Sequence, residues 1–200
     1  MEAEVTMDNN RSFGDEQFIN LIGMESKPVH VNNILDGYAI IDDEKISFKR
    51  KPMLKKQITV VLPEKFTIMA KGLAEKKYPS VNRPDEIYTN AETTINFSLT
   101  HSNDPATNEG IPETKDALQQ VITRMHPASK IIDSDLIDAS GLSIAYFDFI
   151  TPALDMDIYN VIFVFSLDKR LVVGSFNCPP ESMDEWKPLL VQMLQSIEVN

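Results

Sequence analysis

Apolar residues recur along this chain with two different periods, and the alternating period dominates its second half. Over residues 159–167, Val161, Phe163 and Phe165 fall on one side of an extended strand and Ile162, Val164 and Ser166 on the other. Both faces of such a strand need cover, so it belongs in the middle of a sheet with helices on one face and an equally apolar layer on the other. The same reading predicts strands over 131–137, 142–150 and 171–178. Their connectors are Ala139-Ser140-Gly141, a longer loop around 152–157, and Asp168-Lys169-Arg170. Connectors this short imply antiparallel neighbours.

Helical spacing takes over in three places. Trp186, Leu189, Leu190, Met193, Leu194 and Ile197 share one face of a closing helix. Ser182 and Glu185 have capping-box spacing, but Pro188 then lies past the first turn, so a loose turn from Ser182 and regular helix from about Asp184 are expected. Ala117, Leu118, Val121, Ile122 and Met125 form a second stripe, opened by Pro112 at the first helical position and stopped before Pro127. Met69, Leu73, Ala74 and Lys77 predict a short helix over 70–78, ended by Pro79.

Further strands are predicted at 58–62, 66–69 and 87–89. Another spans 94–100, where Ile95, Phe97 and Leu99 alternate with polar residues, as in a half-buried strand; a polar loop over 101–110 follows. Turn signals at Asp36-Gly37 and Asp42-Asp43-Glu44 make a hairpin or meander of residues 34–48. Pro52 places the segment 49–56 at an edge or in a loop. Residues 1–15 read as a frayed terminus, and Phe18, Ile19, Leu21 and Ile22 as a short docking helix. The fold class is α+β, an antiparallel sheet sandwiched by helices (α/β/α) over residues 58–200, with an N-terminal extension of short strands over residues 1–57.

Composition narrows the partners. With 200 residues the chain supports one good core, and a net charge of −11 opposes phosphate backbones and anionic membranes, so no nucleic-acid partner is expected. No apolar run approaches the roughly 18 residues of a membrane helix, so no membrane insertion is expected. A single cysteine, Cys178, cannot close an internal disulfide. The opening residues lack a basic region followed by an apolar one, and a reducing, cytoplasmic setting fits this pattern.

Charge is unevenly spread. Residues 45–77 hold ten bases against two acids, inside a chain that is acidic on both sides. Lys49, Arg50, Lys51, Lys55 and Lys56 are therefore the candidate interaction surface. They either lie across acidic parts of the same fold or form an edge that receives an acidic partner, such as a second copy of the chain.

Catalytic, cofactor and metal chemistry find no motif. Phosphate-binding glycine loops are absent, and no serine sits in a nucleophile elbow. His30, His101 and His126 are far apart and read as surface or loop residues. Asp133, Asp135 and Asp138, and Asp155 with Asp157, lack the glycine and distal glutamate of a calcium loop and read as solvated acidic turns. Cys178 has no activating neighbour in sequence and reads as a quiet buried thiol. Trp186, Phe163, Phe165 and Met193 read as core, with a ligand pocket as the alternative.

The element order from Ile58 onward is two strands, a short helix, two strands, a helix, four antiparallel strands and a closing helix. It resembles the PsbP-like fold shared with the Ran release factor. Lys77-Tyr78-Pro79 with Arg83-Pro84, and Trp186-Lys187-Pro188 leading to Ser196-Ile197, are similar to phrases of bacterial members of that group. The resemblance covers about 140 residues, a span the size of a typical single domain, and implies a mostly non-enzymatic binding fold. No functional residue carries over. The function expected is a protein-interaction or adaptor and chaperone-like module with an unidentified protein partner and possible homo-oligomerisation. The alternative is an enzyme or small-molecule binder using a pocket between the sheet and the closing helix. Since no ligand set for a metal is legible, chelation by EDTA is expected to leave the melting temperature unchanged; a fall restored by one particular metal would contradict this.

Overall fold

The strand predicted over 159–167 is covered on both faces. In the computed structural model, which describes residues 32–80, 83–153 and 155–200, it is β9 (Ile158–Leu167), bonded on one side to β8 (Leu142–Thr151) and on the other to β10 (Arg170–Cys178). An edge strand, β7 (Lys130–Ala139), lies beyond β8. Beyond β10 follow β6 (Asn96–Pro105), β5 (Glu86–Thr89) and the two-residue β4 (Thr67–Ile68). The order of this seven-stranded sheet is β4-β5-β6-β10-β9-β8-β7, and every pairing is antiparallel.

A second, four-stranded sheet has the order β1-β2-β3-β11 and contains β1 (Tyr38–Ile41), β2 (Glu44–Met53), β3 (Ile58–Pro63) and β11 (Glu198–Val199). The helices are α1 (Lys71–Lys77), α2 (Ile111–Met125) and α3 (Met183–Gln195). α2 lies over β8 and β9, burying Ile111 with Ala145 and Val164. On the opposite face α3 touches β7 and β10, and it also touches β3 of the smaller sheet. The protein is thus α+β, with the large sheet held between helices. Asn32–Asn200 forms one compact unit, so residues 32–57 are woven into the same body as 58–200 through the β2–β3 hairpin.

Trp186 of α3 fills the space between the layers. Its ring stacks on Phe66 at 6.0 Å and tilts against Phe176 of β10 at 5.9 Å, while Phe97 and Phe163 meet at 5.4 Å deeper in the same core. Gly174, paired with Phe163 across β9 and β10, is required by this packing, because a Cβ there would lie 2.1 Å from the Phe163 ring.

Several elements differ from the sequence reading for physical reasons. Segment 49–56 is edge and then turn, as Pro52 implies, but its first half is a regular strand: residues 44–47 of β2 pair with β1, residues 48–53 pair with β3, and residues 54–57 turn into β3. Pro52 is accommodated because, among the described residues, that half of the strand has a strand neighbour on one side only. The first four residues of β6, Asn96 to Leu99, are buried on both faces, because Asn96 and Ser98 find polar partners on β5 and β10. Asn96 meets Thr89 at 2.8 Å and Asn177 at 2.7 Å, and Ser98 meets Ser175 at 2.7 Å. β6 also runs on to Pro105, through what was expected to be loop. The capping box at Ser182 does not form: Pro180–Ser182 is a 3-10 turn that leads straight into α3, so Ser182 has helical backbone angles and makes no side-chain cap. The docking helix expected around Phe18–Ile22, and the frayed 1–15, fall outside the described residues.

Replacing Trp186 with alanine removes the ring that joins both sheets, and is expected to cost about 3–5 kcal/mol, the range for a buried large aromatic. An unchanged thermal melt would show that α3 is not part of the core.

Candidate functional site

The five basic residues expected to form an interaction surface do not share one environment. Lys49 pairs with Glu64 at 3.1 Å, and Arg50 pairs with Glu198 of β11. Lys51 is turned inward and only 8% exposed. Its ammonium donates to the carbonyls of Glu64 at 3.0 Å and Phe66 at 2.6 Å, and it lies 5.5 Å from the Tyr88 ring centre. Burial lowers its pKa, and the neighbouring Lys49 adds to the effect. Lys55 and Lys56 stand at the tip of the β2–β3 turn, where Leu54, Lys55 and Lys56 have φ of 51°, 57° and 70°. Among the described residues no ion pair holds either of these two ammonium groups.

A denser constellation of charge lies where α3 crosses β7, β8 and β9. Asp148 of β8 is 0% exposed. One of its oxygens, Oδ2, accepts from the Tyr159 hydroxyl at 2.7 Å and from the Lys187 ammonium at 2.9 Å. Lys187 reaches Asp133 of β7 at 3.1 Å as well, so one cation bridges two carboxylates on neighbouring strands. The other oxygen of Asp148, Oδ1, has no partner among the described residues. An ionised carboxylate taken this far from water needs its ammonium, and removing one member of such a pair is costly. The sequence held one sign of this site: Asp148 is the single charge within the buried run Ala145–Phe149.

The protonation states around Asp148 describe what the cluster does. Burial works against the charge on Lys187, but its hydrogen bonds to Asp148 and Asp133, and their negative charges, raise its pKa overall. Burial, followed by the bond to Asp148, raises the Tyr159 phenol far above its ordinary range. Burial pushes the Cys178 thiol up to about 12. Amine, phenol and thiol are therefore each held in the protonated form that is a poor nucleophile or base near neutrality. The arrangement clamps a helix onto three strands.

The room that a ligand would need between the sheet and α3 is filled by Phe66, Phe176 and Trp186. The concavity at α3 is instead a shallow depression of about 560 Å³ on the outside, lined by Asp184, Lys187, Pro188, Val191 and Gln192. His101, expected on a surface or loop, is half-buried in β6; its ring nitrogens lie 3.2 Å from Gln57 Oε1 and 3.2 Å from the Leu167 carbonyl. Among the described residues, no three or more His, Cys, Asp or Glu side chains are grouped to hold a metal.

α2 has two apolar sides. Leu118 packs toward the sheet, whereas Ala117, Val121 and Met125, spaced by four, face solvent, with Met125 67% exposed. The stripe read from the sequence is thus split between core and surface.

No protein-family model matches the chain, and no curated protein matches it in sequence. Solved structures do. The cyanobacterial PsbP (CyanoP) of Synechocystis sp. PCC 6803 superposes with a TM-score of 0.58 at 14% identity, over 78% of this chain and 94% of that one. LpqN, involved in cell envelope biogenesis of Mycobacterium tuberculosis, superposes at 0.47 and 8% identity, over 80% of this chain and 94% of that one. A Pseudomonas aeruginosa protein of unknown function, described as a putative regulator, gives 0.45 and 11%, over 76% and 97%. The fold is PsbP-like, and at these identities the likeness concerns fold alone.

Lys187→Met should destabilise by about 3–5 kcal/mol at neutral pH, because Asp148 is left buried without its cation. Asp133, whose hydrogen bond from Lys187 holds its pKa below the ordinary carboxylate value, favours the folded state above the unfolded aspartate pKa of about 3.9 and loses this contribution as pH falls through its lower folded value. Asp133→Asn should therefore cost about 0–1 kcal/mol at pH 7, as for an exposed pair, and nothing in strong acid. Denaturant melts at the two pH values check both statements.

Proposed function

We propose that residues 32–200 form a non-enzymatic protein-interaction module, with an adaptor or chaperone-like role toward a protein partner. The observation that carries this reading is the outward stripe of α2. Ala117, Val121 and Met125 spend apolar surface on solvent along a helix whose other side is already packed, and contiguous exposed apolar surface of this kind marks interaction sites. Two further features support it. The reactive groups near Asp148 are held protonated, and the space under α3 is occupied by aromatic rings. The alternative, an enzyme or small-molecule binder using a pocket under that helix, would need this core to open.

Of the basic segment, Lys55 and Lys56 are the residues suited to an acidic partner or a second copy of the chain, since Lys49 and Arg50 are paired and Lys51 is internal. A cytoplasmic setting belongs to the same proposal; among the described residues no helix is long and apolar enough to cross a membrane.

A photo-crosslinking residue at position 121 should capture a discrete protein from host lysate, and Val121→Asp with Met125→Asp should abolish capture while shifting stability by no more than about 0.5 kcal/mol, as for surface substitutions. Undiminished capture by a folded double variant would remove α2 as the binding face. Capture of the chain by itself, with mass doubled in light scattering, would identify the partner as a second copy.

A further inference from the structure

β7 is a ten-residue edge strand: β8 pairs with one side of it, and among the described residues no strand lies on the other. A long edge of this kind is a template for another chain unless something blunts it. Here the blunting is specific. The amide of Ser134 donates to Asp133 Oδ1 at 2.8 Å, and the amide of Leu136 donates to Asp135 Oδ1 at 2.8 Å, so each carboxylate covers the backbone donor that follows it. The strand carries three acids, Asp133, Asp135 and Asp138, and a single base, Lys130.

The two faces of the edge differ. Asp133 pairs in register with Asp148, and Asp135 with Tyr146, on the side of the sheet where Lys187 of α3 lies. Leu136 pairs with Ala145, which is buried under Ile111 of α2, so Leu136 belongs to the α2 side; it is 52% exposed. On that side α2 turns Val121 and Met125 to solvent.

We propose that β7 receives an added strand from the protein partner, a segment in which lysine or arginine alternates with apolar residues. This rests on the interaction reading above and names its chemistry. Carbonyls of the incoming strand take over the amides of Ser134 and Leu136, as in other strand-addition complexes. The released carboxylates then meet the incoming cations on the α3 side, and Leu136 meets the apolar side chains on the α2 side, following the two-residue alternation of a strand. Asp133 already holds Lys187, so Asp135 is the position that selects the cation. A second β7 brings the same three acids and is repelled, which opposes self-pairing along this edge.

The probe is a short synthetic peptide alternating lysine with valine, added to the isotopically labelled full chain, with its glutamate-for-lysine counterpart as control. The lysine peptide should slow hydrogen exchange at Ser134 and Leu136, and the glutamate peptide should not. Asp135→Lys should weaken binding at least about tenfold, with the loss shrinking as salt screens the charges. Leu136→Pro, which removes an outward amide without touching the β7–β8 ladder, should abolish the protection. Three results overturn the site: no binding of the lysine peptide, binding that leaves both amides unprotected, or binding indifferent to Asp135→Lys in a folded variant. Protection in the free protein that grows with protein concentration also overturns it, by placing a second copy on β7. If Val121→Asp with Met125→Asp abolishes partner capture and Asp135→Lys does not, the interaction reading stands and the β7 site fails. If the lysine peptide protects β7 and no protein is captured through α2, the β7 site stands alone.

Discussion

The packing of Trp186 holds two sheets and a helix in one body. Its ring meets Phe66, in the turn just beyond the end of β3, and Phe176 toward the end of β10. α3 is thereby wedged between the sheets rather than laid over one of them. Everything beneath has to fit that wedge. Phe163 sits across from Gly174 because a larger residue would collide with the ring, and the space left by the missing side chain is the space the aromatic core uses. Interiors are packed too tightly for such a position to be filled without moving its neighbours.

Polar groups set the register of this hydrophobic assembly. Apolar faces alone would let α3 slide along the sheet, but Lys187 is bonded to Asp148 and Asp133 on two adjacent strands, which fixes both its height and its rotation. At the other end of the same helix Gln192 exchanges two hydrogen bonds with the backbone of Asn32 and Ile34, and Ser196 accepts the Val61 amide of β3. Lys51 does the same for the turn after β3, by holding the carbonyls of Glu64 and Phe66. Buried charges of this type add little net stability, since desolvation offsets the attraction; what they confer is a single geometry.

The sequence made the central strands legible because their residues obey period two without interruption, from Val161 to Phe165 and from Val172 to Phe176. The closing helix was legible for the same reason at its own period. What could not be read is what depends on contacts between distant residues. Asn96 and Ser98 look like a solvent face until Asn177 and Ser175, about eighty positions away, arrive beside them. Lys51 looks like part of a basic patch, because nothing local tells that carbonyls at positions 64 and 66 will close around it. The Asp148 cluster draws one residue from each of β7, β8, β9 and α3, and only a fold brings four such residues together. α2 is the intermediate case: its apolar stripe was visible, but which half of it faces inward follows from where β8 and β9 lie.

Cys178 gives the molecule a built-in clock. It is the only cysteine in the chain, it lies at the end of β10 with 1% of its surface exposed, and its thiol is held protonated. A thiol reagent cannot reach or activate it while the core around Tyr159 stays closed. Its labelling rate in the native protein therefore counts the openings of that corner, at single-site resolution and without any added probe. Compared between conditions, that rate would separate motions that expose the end of β10 from those confined to the outer strands, where the solvent-facing surfaces lie.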